Sequence, residues 1–257
     1  MYTVAELEQR LYGKCPRELA QKWDNVGLLV GTRSSPVKKV LVALDITEGV
    51  VDEAVVGGYN LIVAHHPVIN CSWTPVQTIT DETLYGRILL KLIKHDIAAI
   101  CMHTNLDSAE GGVNDQLAAR LGLQNISVLD QETGIGRIGD LPREVTLSEF
   151  LKDVKEKLGA NGIRYADAGK PVRRVAVGGG SCSEYADLAR ELGCDTFVTS
   201  DIKYNGFLDA PYKGINLLDA GHFPTEDVIC QTLLQWLRDW GVEAEKSASH
   251  KEVIQYM

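Results

Sequence analysis

The alternation of strand-like and helix-like segments from Val37 to His103 constrains the fold more than any other feature of the chain. Three apolar segments typical of buried strands are separated there by two helical segments, Glu48 to Val56 and Asp81 to His95. Helices of this length between strands imply parallel strands joined by right-handed crossovers. We therefore predict an α/β sandwich.

The C-terminal half shows a similar order of elements. RRVAVGGG is predicted as a strand, and it is followed by a helix from Ser183 to Leu192, two further strands and a long helix from Thr225 to Trp240. Residues 124–144 are rich in turn formers and have no helical period, so we expect a boundary between units near them. We predict a first α/β unit over residues 1–125 and a second over residues 126–257, whose C-terminal helix and strand could pack on the first unit.

The two halves also show a weak internal repeat. When the sequence is shifted by 135 residues, Val40 lies over Val175 and predicted strands lie over predicted strands. A shift of 119 residues places HTNLD, which starts at His103, over HFPTE, which starts at His222. Because open parallel sheets bind ligands at the carboxyl ends of their strands, we expect the two similar units to present these ends to a shared cleft.

Composition narrows the classes of function. The chain of 257 residues is 45% apolar and 24% charged, as in soluble globular proteins, and no segment is long and apolar enough to span a bilayer. The net charge of -9 argues against general nucleic-acid binding, because phosphate neutralisation needs a basic face. The six cysteines form no CxxC pair, which indicates reduced thiols and a cytoplasmic location.

The segment LIVAHHP, Leu61 to Pro67, is the strongest candidate for a metal site. Four apolar residues predict a strand that ends in His65 and His66, and the proline stops the strand. Neighbouring strand residues normally point to opposite faces, but a turn here would bring both imidazoles to one pocket, where each ring could take one of two ions. The simpler interpretation is a strand end with one buried, hydrogen-bonded histidine and one exposed histidine.

Two segments of the form His-x-x-x-acid supply further candidate ligands, His103 with Asp107 and His222 with Glu226. Together with the histidine pair, they suit two divalent ions of the zinc, manganese, iron or nickel type better than magnesium or calcium. Taken singly, each segment fits an ordinary helix start at least as well, because an acid near a helix N-terminus interacts favourably with the helix dipole.

Other polar residues receive weaker assignments. Asp24 and Asn25 could face a site, although a turn role is favoured because Asp and Asn bond their own backbone in turns. The N–H groups of GGGSCS, which starts at Gly178, could hold an anion, although the segment matches neither of the common phosphate-binding glycine motifs. Lys203 could offer its charge to a phosphate, and a solvated lysine is the more frequent explanation. We predict that His95 and His250 are surface residues.

The motifs WDNVGLLVG, AHHP, HTNLD, GGGS and DAGHFPTE occur in this order over nearly the whole chain. This ordered set resembles the Nif-three-like proteins, the NGG-one-interacting-factor-three group that is often labelled GTP cyclohydrolase I type 2 homologue. The resemblance implies two similar α/β units with a dinuclear metal site in the cleft between them, assembled as a toroidal homohexamer.

The resemblance also implies roles for particular residues. Five side chains match the metal ligands of the family: His65, His66, Asp107, His222 and Glu226. His103 lies beside them and is our candidate for proton transfer or for support of the ligands. The chain is shorter than members that carry a further middle domain, and it has Tyr204 where the family often has a histidine, so a catalytic role for that segment is in doubt.

Two functional hypotheses follow. In the first, the protein is a metal-dependent hydrolase with two divalent ions per subunit, acting on a small molecule such as a nucleotide or related heterocycle by ring opening or phosphoester hydrolysis. In the second, it is a non-catalytic, metal-binding hexameric scaffold or regulator. A structurally different metallo-phosphoesterase is a third, less favoured interpretation that the fold would exclude. None of these requires membrane association.

Overall fold

The computed structural model describes residues 1–69 and 78–257. Cys71, predicted to be a reduced thiol, lies outside the described residues. The other cysteines are free and buried. Within the described part of the chain, no helix combines the length and the apolar character needed to cross a membrane.

The described elements form a mixed α/β protein with two sheets. The helices are α1 (Val4–Tyr12), α2 (Glu48–Gly57), α3 (Leu84–Lys94), α4 (Thr104–Ser108), α5 (Val113–Leu121), α6 (Leu147–Leu158), α7 (Ala186–Glu191), α8 (Tyr204–Lys213), α9 (His222–Glu226) and α10 (Val228–Asp239). The strands are β1 (Gly27–Val30), β2 (Val40–Ala43), β3 (Leu61–Ala64), β4 (Ala98–Cys101), β5 (Gln124–Val128), β6 (Arg137–Val145), β7 (Arg164–Ala166), β8 (Val172–Val177), β9 (Thr196–Thr199), β10 (Asn216–Asp219) and β11 (Ala244–Lys246).

The first unit comprises residues 1–109 and 229–251. Its sheet has the order β1-β4-β3-β2-β11, in which β1 is antiparallel to β4 and the other neighbours are parallel. Every residue of β2, β3 and β4 is buried, as expected for parallel strands covered on both faces. Side chains such as Ile62 and Leu89 join one core cluster, and burial of each contributes about 1.5–3 kcal/mol.

One edge of this sheet collects the residues that follow β2, β3 and β4. Backbone pairing continues past the strands, since His66 N donates to Leu44 O and Met102 N donates to Ala64 O. Because β1 runs in the opposite direction, its first residue, Gly27, pairs with Cys101 at the end of β4. The residues just before β1 therefore lie at the same edge as the residues just after β4.

The second unit comprises residues 110–228 and 252–257. Its sheet has the order β5-β6-β8-β9-β10-β7, with β8, β9 and β10 parallel and the flanking pairs antiparallel. Val175 and Val177 of β8 join one core cluster, while Ala176 joins another. This alternation places the two clusters on opposite faces of the sheet.

Helix starts agree with local sequence signals. Thr3 with Glu6 and Thr146 with Glu149 form capping boxes at the first turns of α1 and α6, as their spacing predicts. In each case the threonine hydroxyl accepts a hydrogen bond from the glutamate N–H, while the carboxylate accepts one from the threonine N–H. An N-cap of this kind stabilises a helix by about 1 kcal/mol.

Several elements differ from their predictions. The segment read as turn-rich contains β5 and β6, so the predicted boundary between residues 125 and 126 falls inside a strand of the second unit. The long C-terminal helix is divided into α9 and α10. Helix α8 was not predicted, because Pro211 lies inside it and Gly206 weakens its helical pattern. The internal repeat stays a prediction.

Candidate functional site

Three imidazoles of the first unit lie together at the sheet edge described above. His65 and His66 follow β3, and His103 follows β4. Their ring centroids are 4.9 to 5.6 Å apart, and one ligand nitrogen from each ring lies within 4.8 Å of the others. We call these three residues the imidazole cluster. The strand ends at Ala64, so the rule that neighbouring strand residues point to opposite faces does not apply to the two adjacent histidines.

Each ring of the imidazole cluster is oriented through its Nδ1 atom. His65 Nδ1 lies 2.8 Å from the carbonyl oxygen of Met102. His66 Nδ1 lies 2.7 Å from Asp45 Oδ1, and His103 Nδ1 lies 2.9 Å from Asp24 Oδ1. Because carbonyl and carboxylate oxygens accept hydrogen bonds, the neutral rings carry their proton on Nδ1 and keep the lone pair on Nε2. This is the arrangement in which metal-binding histidines are commonly held.

A carboxylate of the same unit lies beside the cluster. Asp107 belongs to the five-residue helix α4, which begins immediately after His103. Its side chain is almost fully buried, and its Oδ1 lies 3.5 Å from His65 Nε2. The backbone N–H of Asp107 donates to the carbonyl of His103, which places the two side chains one helical turn apart. The first unit thus offers three imidazoles and one carboxylate.

The second unit holds a corresponding pair in α9. His222 Nε2 lies 3.0 Å from Glu226 Oε2, four residues along the helix. His222 Nδ1 lies 2.6 Å from Asp201 Oδ2, so this imidazole is also oriented through Nδ1 by a carboxylate. Asp201 has a left-handed backbone conformation with φ of 53°, which is uncommon for a residue other than glycine.

The glycine-rich loop after β8 packs against this pair. A Cβ atom at Gly180 would lie 2.0 Å from Glu226 Oε1 and 3.1 Å from His222 Nε2, and the residue has a φ of +64°. Only glycine therefore leaves the carboxylate in its position. The suggestion that the loop holds an anion is wrong for most of its N–H groups, because they donate within the unit. The acceptors are Val198 O for Gly178, Asn114 Oδ1 for Gly179, Thr225 Oγ1 for Gly180 and Thr199 Oγ1 for Cys182.

The electrostatics of the second-unit pair favour a cation at this position. Burial, the largest single influence, lowers the pKa of His222, but the charge of Glu226 and hydrogen bonds to Asp201 and Glu226 outweigh it and raise the pKa to about 11. The hydrogen bond from His222 in turn lowers the pKa of Asp201. The carboxylates of Asp201 and Glu226 therefore favour a positive charge on His222. A proton supplies one such charge, and a divalent ion would supply two.

Asp24 shows a related effect in the first unit. Burial, again the largest influence, raises its pKa, but the hydrogen bond and charge of His103 and two hydrogen bonds from Thr104 outweigh it and lower the pKa to about 2. Its side chain is fully buried. The favoured interpretation of Asp24 as a turn residue is therefore incomplete: its carboxylate accepts a bond from the next N–H, that of Asn25, and it also fixes the orientation of His103, in line with the alternative that it faces a site.

The remaining histidines do not belong to these groups. His95 is exposed at the end of α3, as predicted. His250 is buried, which corrects its assignment to the surface, and its Nδ1 accepts a hydrogen bond from the backbone N–H of Leu44. Lys203 is exposed at the N-cap position of α8.

Sequence reasoning missed two of these three carboxylates that orient histidines, although both carried a usable signal. Asp45 and Asp201 each follow the strand that lies beside the histidine's strand in a parallel pair. An acid after the neighbouring strand was therefore the pattern to search for. Asp24 could not be found in this way, because the antiparallel pairing of β1 with β4 brings it to His103.

The donor chemistry fits a divalent transition-metal ion. Imidazole nitrogens and carboxylate oxygens are the ligands that zinc, manganese, iron and nickel share, and the oriented Nε2 atoms suit direct coordination. The described residues thus form an α/β protein with histidine and carboxylate groups that could bind metal.

Comparison with known proteins shows the family. Residues 2–252 match the family described as Duf34/NIF3 (NGG1p interacting factor 3), and the chain belongs to that family. A relative from Clostridium perfringens named GTP cyclohydrolase 1 type 2 homolog is 40% identical over 217 residues, which covers 82% of each chain. A relative of the same name from Streptococcus pneumoniae is 34% identical over 249 residues, covering 93% of this chain and 92% of its own length.

A solved structure shows the same fold. The crystal structure of a Bacillus cereus protein related to NIF3 superposes with a TM-score of 0.92 at 29% identity, and the match covers 100% of this chain and 99% of that one. The predicted family and the mixed α/β fold class are therefore confirmed.

Proposed function

We propose that the protein is a divalent-metal-dependent hydrolase with a dinuclear centre, acting on a nucleotide or a related heterocycle. The first unit would supply His65, His66 and Asp107 as ligands, and the second unit would supply His222 and Glu226. In this proposal each unit carries only part of the ligand set, and a cleft between the units holds the two ions. The ions are of the zinc, manganese, iron or nickel type.

One observation carries the proposal. All four histidines of the two groups are hydrogen-bonded at Nδ1 to a carbonyl or carboxylate oxygen, at distances of 2.6 to 2.9 Å. A histidine that serves only as a helix start or a strand end has no need of this partner. A histidine that binds metal through Nε2 usually has one, because the second bond fixes the ring and raises its basicity.

The proposed chemistry divides between the ions and the chain. A pair of divalent ions would act as Lewis acids and would lower the pKa of a water from 15.7 towards neutrality. His103, with its Nδ1 held by Asp24, presents Nε2 as the group that accepts or donates a proton. Asp45 and Asp201 would keep His66 and His222 in the orientation that coordination requires.

The substrate class rests on chemistry and on the names of relatives. Attack by an activated water suits both the opening of a purine ring at C8 and the hydrolysis of a phosphoester. The relatives from Clostridium perfringens and Streptococcus pneumoniae are each named as a homolog of a GTP cyclohydrolase. We therefore place guanine nucleotides first among the substrates to be tested.

The proposal also includes assembly and location. We expect a cytoplasmic homohexamer, as the family resemblance implies. Helix α8 is consistent with self-association, because Tyr204, Leu208 and Tyr212 are exposed at intervals of four residues along it. The mass of the purified protein in solution, measured by light scattering, tests this part of the proposal: a monomer would contradict it.

A paired substitution tests the reaction. His66→Ala removes a proposed ligand, while His95→Ala removes an exposed imidazole at the end of α3. Both proteins are dialysed, reloaded with zinc, manganese, iron or nickel, and assayed with GTP and a panel of phosphoesters. We expect His66→Ala to lose bound metal and turnover, and His95→Ala to keep both. Metal binding without turnover on any substrate would favour the scaffold, whereas full turnover by His66→Ala would refute the ligand assignment.

A further inference from the structure

Trp23 stands beside the imidazole cluster and has no role in the ligand set proposed above. Its ring centroid lies 6.0 Å from that of His103, with an angle of 74° between the ring planes. The side chain is nonetheless 45% exposed. We infer that the indole ring of Trp23 stacks on a planar ring of the substrate. The substrate is then a nitrogen heterocycle and not a simple phosphoester. The inference rests on the proposed function and names the substrate class of the same site.

The backbone around Trp23 is fixed from both sides. Asp24, the next residue, accepts hydrogen bonds from the N–H and the hydroxyl of Thr104, at 3.0 and 2.5 Å, in addition to its bond with His103. The N–H of Gln21 donates to the same hydroxyl of Thr104 at 2.8 Å. These bonds join the segment before β1 to the start of α4.

A further bond ties the segment to the chain that follows the histidine pair. The side-chain amide of Asn25 donates to the carbonyl oxygen of Ile69 at 3.3 Å. Residues 21–25 are therefore held at α4 and also close to Pro67. A tryptophan in a mobile loop would need no such anchoring, whereas a ring that must present its face to a ligand benefits from being held in advance.

The chemistry of an indole ring selects the kind of ligand. A single exposed tryptophan is not unusual on a protein surface, and by itself it would indicate nothing. Here the ring lies 6.0 Å from His103, one of three imidazoles whose centroids lie within 5.6 Å of one another, in a protein with a net charge of -9. An indole offers a phosphate no charge, but it stacks well on the π-face of a nucleobase. Bound cations could hold the phosphate of a nucleotide, while Trp23 would recognise its base.

The test compares two probes that differ only in the base. GMP and ribose 5-phosphate are titrated calorimetrically into the purified protein and into the variants Trp23→Leu and Trp23→Phe. Trp240→Leu is the control, because it removes an indole elsewhere in the first unit, where the Arg10 guanidinium lies 5.8 Å from the ring. The metal content of every protein is measured in parallel.

Stacking of one base on an aromatic side chain increases affinity by roughly 10-fold or more. We expect the wild type to prefer GMP over ribose 5-phosphate by about this factor, Trp23→Leu to lose most of the preference, and Trp23→Phe to keep most of it. Binding of ribose 5-phosphate and the metal content should stay unchanged in all variants. GMP should also quench tryptophan fluorescence in the wild type and in Trp240→Leu, and quench it much less in Trp23→Phe.

The failures of the two proposals are distinguishable. The inference is overturned if the wild type shows no preference for GMP, if Trp23→Leu keeps the preference, or if Trp23→Leu weakens both probes equally or loses metal. The last result would assign Trp23 a purely structural role. The proposed function fails separately, if wild-type protein reloaded with each of the four ions binds none of them.

Discussion

Replacing Gly180 with alanine tests how the glycine-rich loop and Glu226 depend on each other. An alanine Cβ at this position would lie 2.0 Å from Glu226 Oε1 and 2.9 Å from Glu226 Cδ, well inside van der Waals contact. The carboxylate is the far end of a flexible side chain, so it can move away. We therefore expect Gly180→Ala to fold with Glu226 displaced from His222, and to bind divalent metal more weakly.

Gly193→Ala is a matched control. Gly193 has a φ of +83°, so alanine there adopts the same unfavourable left-handed region, but nothing lies within 4 Å of its added Cβ. The backbone cost is about 1–2 kcal/mol in each variant. For a chain of this length, a loss of 1 kcal/mol lowers the thermal midpoint by roughly 2–4 °C. Both metal-free variants should thus lose about 2–8 °C, with Gly180→Ala the less stable.

Metal affinity separates the two variants. Disturbing the partners of a metal ligand commonly weakens binding by roughly 10- to 100-fold, and displacement of a ligand should cost at least as much. Titration with zinc in the presence of a competing chelator should give a loss in this range for Gly180→Ala and no change for Gly193→Ala. Equal affinities in the two variants would show that the position of Glu226 is unimportant for metal binding.

Three further predictions concern pH and local stability. Because the pKa of Asp24 is lowered to about 2, its charged form contributes about 2 kcal/mol to the free energy of unfolding above pH 4, and this contribution is lost as the pH falls towards 2. Asp24→Asn should therefore flatten the pH dependence of the free energy of unfolding over that range, and an unchanged slope would contradict the assignment. Because the pKa of His222 is raised to about 11, a metal ion must displace a proton there, and the apparent affinity for metal should rise by up to about 10-fold per pH unit from pH 6 to 9. A metal affinity that does not change with pH would contradict this prediction. Thr146→Ala removes the N-cap of α6 and should lower the free energy of unfolding by about 1 kcal/mol in urea titrations, whereas Lys152→Ala on the same helix should have little effect.

Local signals made much of the fold predictable. The capping boxes of α1 and α6 depend on residues three apart, and the buried strands β2, β3 and β4 are continuous apolar runs. Strands β5 and β6 of the second sheet were missed for the opposite reason. β5 is mostly exposed, β6 contains Pro142 and an irregular register, and neither has the apolar pattern of a core strand.

The candidate site was predictable where chemistry follows a strand end. His65, His66, His103 and His222 all come within about three residues of the end of a buried strand, and their motifs could be read from the chain. The partners of their rings depend on which strands are neighbours and in which direction they run. Asp24 and His103 are 79 residues apart, and only the antiparallel pairing of β1 with β4 brings them together. The order and direction of strands in a sheet cannot be predicted from any single segment of the sequence.

Metal stoichiometry tests whether both units supply ligands to a pair of ions. Dialysed wild-type protein is titrated with zinc and compared with His222→Ala, a change in the second unit, and with His66→Ala, a change in the first. We expect about two ions per chain in the wild type and fewer in each variant, since the proposed ligands come from both units. A full complement of ions in His222→Ala would contradict it.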